Sequence, residues 1–205
     1  MLSRTRASVA FGKAAAFTLV IAISMVAHAA SVRSVGTSDL TARSNLVFHG
    51  KAVEKWVATG SHPGVIITNF RFKVLDVLKG DRSRQIVVLS FLGGTLNGRT
   101  LRVEGLKMPE VGEEGVFFVE RIGGNLVQPF YGWDQGRFLV QTDAQGRKIV
   151  MTHDQQAVRR VDAVAVNAGM ASGHAAGILT SNDERDALTV EAFKSRIRAI
   201  LESQH

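Results

Sequence analysis

Residues 129–133 read PFYGW and set Phe130, Tyr131 and Trp133 within five positions, flanked by Gly132 and Asp134. Aromatic rings on a glycine-bearing loop can stack bases or sugars; they can equally cap and fill the end of a β-barrel. Arg99 and Arg102 would add positive charge near such a face, so Phe130, Tyr131, Trp133, Arg99 and Arg102 form the candidate binding set. Catalytic signals are absent by type and spacing. His49, His62, His153 and His174 show neither HExxH nor i, i+4 spacing, and no acidic cluster accompanies them, so no metal site or cofactor is expected. Gly93-Gly94-Thr95 with Gly98 lacks the Gly-Lys-Ser/Thr ending of a phosphate loop and reads as a turn. Glu113 and Glu114 are adjacent, so their side chains diverge rather than form an acid pair. Ser44, Ser61 and Ser90 have no G-x-S-x-G context. Binding, not catalysis, is the expected chemistry.

The chain begins with a basic stretch, Met1–Lys13, then an apolar run, Ala14–Ala27, then the small-x-small triplet Ala27-His28-Ala29 before Ala30. The run is shorter than the roughly 20 residues that span a bilayer, so the stretch reads as a cleaved secretory leader. Cleavage between Ala29 and Ala30 predicts a periplasmic or secreted protein that meets the membrane only in transit. The formal charge of +7 falls to +4 once Arg4, Arg6 and Lys13 are gone, too mild to argue for nucleic acid. With no cysteine, the fold must stand on its core, and 45% apolar residues can supply one.

The elements that must position the candidate residues are mostly strands. FRFKVLDVLKGDRSRQIVVL, Phe70–Leu89, alternates Phe70, Phe72 and Val74 against Arg71 and Lys73, then turns at Lys79-Gly80-Asp81 into Ile86–Leu89. That pattern predicts a pair of strands at the centre of a β domain. Leu75 breaks the phase and Val77 follows in a new one, which predicts a β-bulge near Leu75-Asp76. Leu46–Val57 reads as a strand bent at Gly50, and Asn97-Gly98 as a tight hairpin turn. Short strands at Arg99–Glu104, Val116–Glu120, Gly132–Thr142 and Arg147–Met151 complete the pattern of a sandwich or small barrel. Ser38–Asn45 predicts a short helix capped by Ser38 or Asp39. The Ala- and Gly-rich Asp162–Gly177 reads as a linker. Leu188–Glu202 is an amphipathic helix with Thr189 as N-cap and Val190, Phe193, Ile197, Ile200 and Leu201 as its stripe; Lys194, Arg196 and Arg198 fall elsewhere on its surface.

The succession LVFHGKAVE, FRFKVLDVLKG, IVVL and VGEEGVFFVE resembles the tissue inhibitors of metalloproteinases and netrin-like domains, over about Ser38–Arg121. It is also similar to exported bacterial proteins in which a GGT turn, a later V-x-G and a proline-led G-E phrase recur, here Gly93–Thr95, Val103–Gly105 and Pro109–Glu113. The resemblance implies a five-stranded OB barrel. In those inhibitors a free N-terminal Cys binds the target zinc; this chain has no Cys, so that role is not carried over.

The expected architecture is mainly β: a small antiparallel OB-like barrel with a short N-terminal helix and a C-terminal amphipathic helix. The expected division is a leader at 1–29, a barrel domain at 30–151, a flexible linker at 152–187 and a helix at 188–203. The expected function is a non-enzymatic module that recognises a protein partner in the cell envelope, with no nucleic acid and no cofactor. The alternatives are inhibition of an exported metalloprotease and a hydrolase with a dispersed site.

Overall fold

The computed structural model describes residues 33–123, 127–165 and 173–204. The predicted leader and its Ala29–Ala30 cleavage point lie outside the described residues, as do 166–172 of the expected linker.

The chain is mainly β, as its alternation predicts. Helix α1 (Thr37–Arg43) leads into two long strands, β1 (Leu46–Thr59) and β2 (Ile66–Lys79), followed by β3 (Ile86–Leu92). A small hairpin, β4 (Gly94–Leu96) and β5 (Arg99–Leu101), turns at Asn97-Gly98, both with positive φ as an Asn-Gly hairpin requires. Then come β6 (Glu114–Val119), a 3-10 turn at Trp133–Gly136, β7 (Arg137–Thr142), β8 (Lys148–Thr152), β9 (Ala157–Val161) and β10 (Ile178–Ser181). A second 3-10 turn, Glu184–Asp186, precedes helix α2 (Val190–Glu202). All but β4 and β5 join one antiparallel sheet in the order β10-β9-β8-β7-β6-β1-β2-β3.

Three expectations need correcting. First, the sheet is open rather than closed into a barrel: β10 and β3 are its edges, so β3 is peripheral and not central. Residues 127–130 only strap the gap between β6 and β3. Val119 and Phe130 form one bridge, Glu120 N donates to Pro129 O at 2.9 Å, and Leu92 N donates to Val127 O at 3.0 Å. Pro129 has no N–H, so the strap makes isolated bonds and not a ladder. Second, much of 152–187 is sheet. Ala157, Val158, Val161, Ala175 and Ile178 are buried, and this sparse apolar set is what the Ala- and Gly-rich composition concealed. Third, neither Ser38 nor Asp39 caps α1; its N-cap is Gly36, with no side-chain bond.

The hairpin β1–β2 carries three register shifts. The middle one leaves Leu75 as the extra residue between the pairs His49↔Asp76 and Gly50↔Val74, where the phase break predicts it. Gly50 sits at this kink because a Cβ there would lie 2.8 Å from both Lys73 O and the Phe48 ring. The bulges curl the strands, and the curl makes two faces. The inner face holds Phe48, Phe70, Phe72, Phe91, Phe117 and Phe130 in mutual ring contact, with Leu46, Val77, Val87, Leu89 and Val119 around them. The outer face of the same strands holds Val47, Leu78, Val116 and Phe118, continues through Phe138, Val150 and Val158, and is covered by α2. Alternate residues of β6 serve the two faces, so Val116–Val119 are all buried.

Helix α2 buries its predicted stripe, Val190, Phe193, Ile197 and Ile200, with Leu201 partly covered. Thr189 caps it by accepting from Ala192 N at 3.3 Å. Lys194, expected on the surface, is buried against the sheet.

Candidate functional site

The structure divides the five predicted binding residues among three places. Phe130 is 1% exposed, stacked on Phe117 at 5.3 Å and edge-on to Phe91 at 5.4 Å. It fills the inner core beneath the strap and cannot serve as an exposed platform; of the two roles open for these rings, it takes the filling one. Tyr131 is half-buried against the α2-covered core, and its N–H donates to Phe118 O at 2.8 Å. Trp133 is half-exposed with φ of 61°, a left-handed conformation that costs a bulky residue on the order of 1–2 kcal/mol. The corner it sits in is tight: a Cβ on Gly136 would stand 2.3 Å from Tyr131 O. Arg99 and Arg102 are exposed and elsewhere, on the β4–β5 arm, with the Arg99 guanidinium nearest Gly64 in the loop between β1 and β2.

Beside Trp133, Asp134 and His153 approach to 3.4 Å, and Asp134 Oδ1 and His153 Nδ1 are buried without partners among the described residues. Burial holds His153 below the ordinary histidine range, against the opposing charge of Asp134. Next to them Arg137 clamps Glu113 with two nitrogens and donates to Lys107 O at 3.2 Å. An acid–histidine pair becomes a catalytic dyad when a nucleophile hydrogen-bonds the other ring nitrogen. Among the described residues no nucleophile meets Nδ1. Among the described residues no three acidic or histidine side chains are placed to hold a metal ion.

Under α2 lies a second polar group. Asp76 of β2 accepts from Lys194 Nζ and Arg198 Nη2, each at 2.7 Å, and Lys194 also meets Glu191 at 2.8 Å. Burial would raise Asp76, but the two cations outweigh it and hold the carboxyl below its usual range; in return Lys194 is held above its own. His49 of β1 meets Glu114 of β6 at 3.0 Å, and Lys148 binds the same carboxylate at 2.7 Å. Burial lowers His49, with Glu114 opposing, so near neutral pH it is the neutral ring donating to Glu114. Every charge is answered by a neighbour, so this network fixes the helix to the sheet and leaves no group aimed at a ligand.

The edge strand β3 is different, because its unmet groups face outward. Val74 N donates to Gln85 O at 2.8 Å, so the peptide groups of 85 face β2. Antiparallel alternation turns 87, 89 and 91 the same way and turns 86, 88, 90 and 92 outward. Leu92 confirms the phase by donating away from β2, to Val127 O. Among the described residues, the outward peptide groups of Ile86, Val88 and Ser90 have no backbone partner. Their side chains share one solvent-facing surface, where Ile86 is 55% and Val88 36% exposed, with Leu75 of β2 at 46%. Cations rim it: Lys73 pairs with Ile86 and Arg71 with Val88 in the β2–β3 register, and Arg82 and Arg84 stand in the turn before β3. A cleft at that end of the strand is lined by Leu75, Arg82, Arg84 and Arg198.

Searches against protein-family models, curated proteins and solved structures find no match to this chain. The site therefore rests on its geometry. Sequence reasoning places a strand at Ile86–Leu89 but not its exposed edge, because IVVL is apolar at every position; such a run looks buried on both faces and hides which alternate set is bare. The available signal was Arg82 and Arg84 just before the run, since flanking cations are a common guard of exposed edges.

Proposed function

We propose that this chain is an exported, non-enzymatic module that binds a protein partner in the cell envelope by adding one strand of that partner to the edge of β3. The observation that carries the reading is the coincidence, on Ile86 and Val88, of outward peptide groups without backbone partners and exposed apolar side chains. Main-chain pairing supplies affinity in such strand addition, and the alternate side chains supply selectivity. Export follows from the leader pattern at 1–29 and is tested by the N-terminus of the protein recovered from the envelope, which should be Ala30.

The edge is tested with Val88→Pro. The N–H it deletes points away from β2, so the hydrogen-bonded pairs of Val87 with Phe72 and Leu89 with Phe70 survive, and a proline is tolerated on the solvent side of an edge strand. The expected result is a folded protein that no longer retains the partner captured by the unaltered chain. Equal retention by both overturns the reading. Val87→Pro, which deletes an inward N–H, should instead unfold the edge.

A further inference from the structure

Resting on that edge reading, we infer that the strand added to β3 is an acidic, extended segment, with β-branched or other apolar residues beside Ile86 and Val88 and carboxylates beside Arg82 and Arg84. The argument is one of charge. Around β3 the carboxylates are already engaged: Glu54 pairs with Arg71, Asp81 accepts from Ser83 N and Oγ, and Asp76 is held between Lys194 and Arg198. Lys73, Arg82 and Arg84 have no carboxylate within ion-pair distance among the described residues, although Arg84 still feels Asp81 from farther away. The edge thus presents unanswered positive charge at the end where an incoming strand would leave or enter.

The same charges count against the commonest rival occupant, a second copy of the chain. Two β3 edges paired antiparallel about Val88 would set the basic end of each beside residues 92–96 of the other, LGGTL, which offer no carboxylate, and a parallel pairing would bring Lys73, Arg82 and Arg84 of the two copies together. An acidic strand meets the opposite condition. The exposed Ile86 and Val88 require more than charge, so a featureless polyanion should be a poor substitute for a strand with apolar residues in alternation.

The test uses the purified chain and three eight-residue peptides measured by fluorescence anisotropy. One alternates Val and Thr with three Glu at one end, one has Gln for each Glu, and one is the Glu peptide N-methylated on alternate amides; polyglutamate is the fourth probe. The expected order is Glu peptide tighter than Gln peptide by about tenfold at low salt, from two or three exposed charge pairs, with the gap closing as salt rises. The doubly substituted Arg82→Ala, Arg84→Ala chain should bind the Glu and Gln peptides within about twofold of each other. Equal binding of both peptides by the unaltered chain overturns the acidic assignment and leaves the edge reading intact, provided the N-methylated peptide fails. If the N-methylated peptide or polyglutamate binds as well as the Glu peptide, no strand is being added, and the edge reading falls with this one. N-methylation acts on the peptide alone, so this outcome does not depend on how well Val88→Pro folds.

Discussion

The two faces of β1, β2 and β6 are built from the same strands and held by different physics. The inner face is six phenylalanine rings and aliphatic neighbours, packed edge-on and stacked, with the Lys55 ammonium 5.6 Å from the centroid of the Phe70 ring. The outer face packs its apolar residues against the α2 stripe and also carries ions, through Asp76, Lys194, Arg198, His49, Glu114 and Lys148. Burial of rings stabilises whatever covers them and cares little about orientation. A buried ion pair stabilises little over a well-packed apolar pair, yet it is costly to break, so it fixes where a helix sits more than how firmly. Both faces bury apolar residues, and the outer one adds the ion pairs that fix the register of α2.

The largest expected effect comes from breaking the inner face. Phe117 touches Phe48, Phe72 and Phe130, and Phe117→Ala should cost about 3–5 kcal/mol in denaturant unfolding, with the same loss at pH 5 and pH 8. A pH-dependent loss would blur the distinction drawn above. Asp76→Ala comes next, at about 1–3 kcal/mol, because it strands the buried Lys194 with only the exposed Glu191; Lys194→Met should cost under about 1 kcal/mol, since Asp76 keeps Arg198. Equal losses from the two would show that the pair contributes attraction and not merely the avoidance of an orphan charge.

Acid should separate the faces without mutation. His49 and His153 are held below the ordinary histidine value by burial, so the unfolded chain takes up protons first as pH falls. Stability is complete above about pH 6.5 and declines below it, by at most about 1.4 kcal/mol per histidine per pH unit, until each ring titrates in the folded state. His49→Gln keeps a donor for Glu114 and should flatten that decline, as read from urea midpoints between pH 5 and 8. The smallest change should be Arg71→Ala on the outer surface of the hairpin, under about 0.5 kcal/mol, because Arg71 and Glu54 are both about half exposed.

The contrast also explains what could be read from the sequence. Period-two alternation at Phe70, Phe72 and Val74 marks a one-faced strand, and the phase break at Leu75 marks the bulge, because both are local consequences of the pleat. The stripe and Thr189 cap of α2 are local too. Pairing order is not. The closure expected of the strands fails at the strap around Pro129, and β9 and β10 attach far along the chain by a handful of small apolar residues. Lys194 looked exposed because only its long-range partner, Asp76, makes its burial affordable. Of the candidate site, Phe130 is drawn into the inner core and Tyr131 against the outer one, and the β3 edge is not legible at all: exposure belongs to a strand's neighbours, not its letters.

The covering of β1 and β2 by α2 has a consequence for how the chain is made. Synthesis reaches α2, at Val190, well after it has finished β2, at Lys79, so at roughly 5–20 residues per second the outer face of the hairpin stays bare for on the order of ten seconds. During that interval Val47 and Leu78 have no cover, and Asp76 has neither Lys194 nor Arg198. A nascent chain halted before residue 190 is therefore held short of its final shape however complete its strands are. Helix α2 works as a latch on the timing of folding, and the hairpin upstream of it remains open to a chaperone until it arrives.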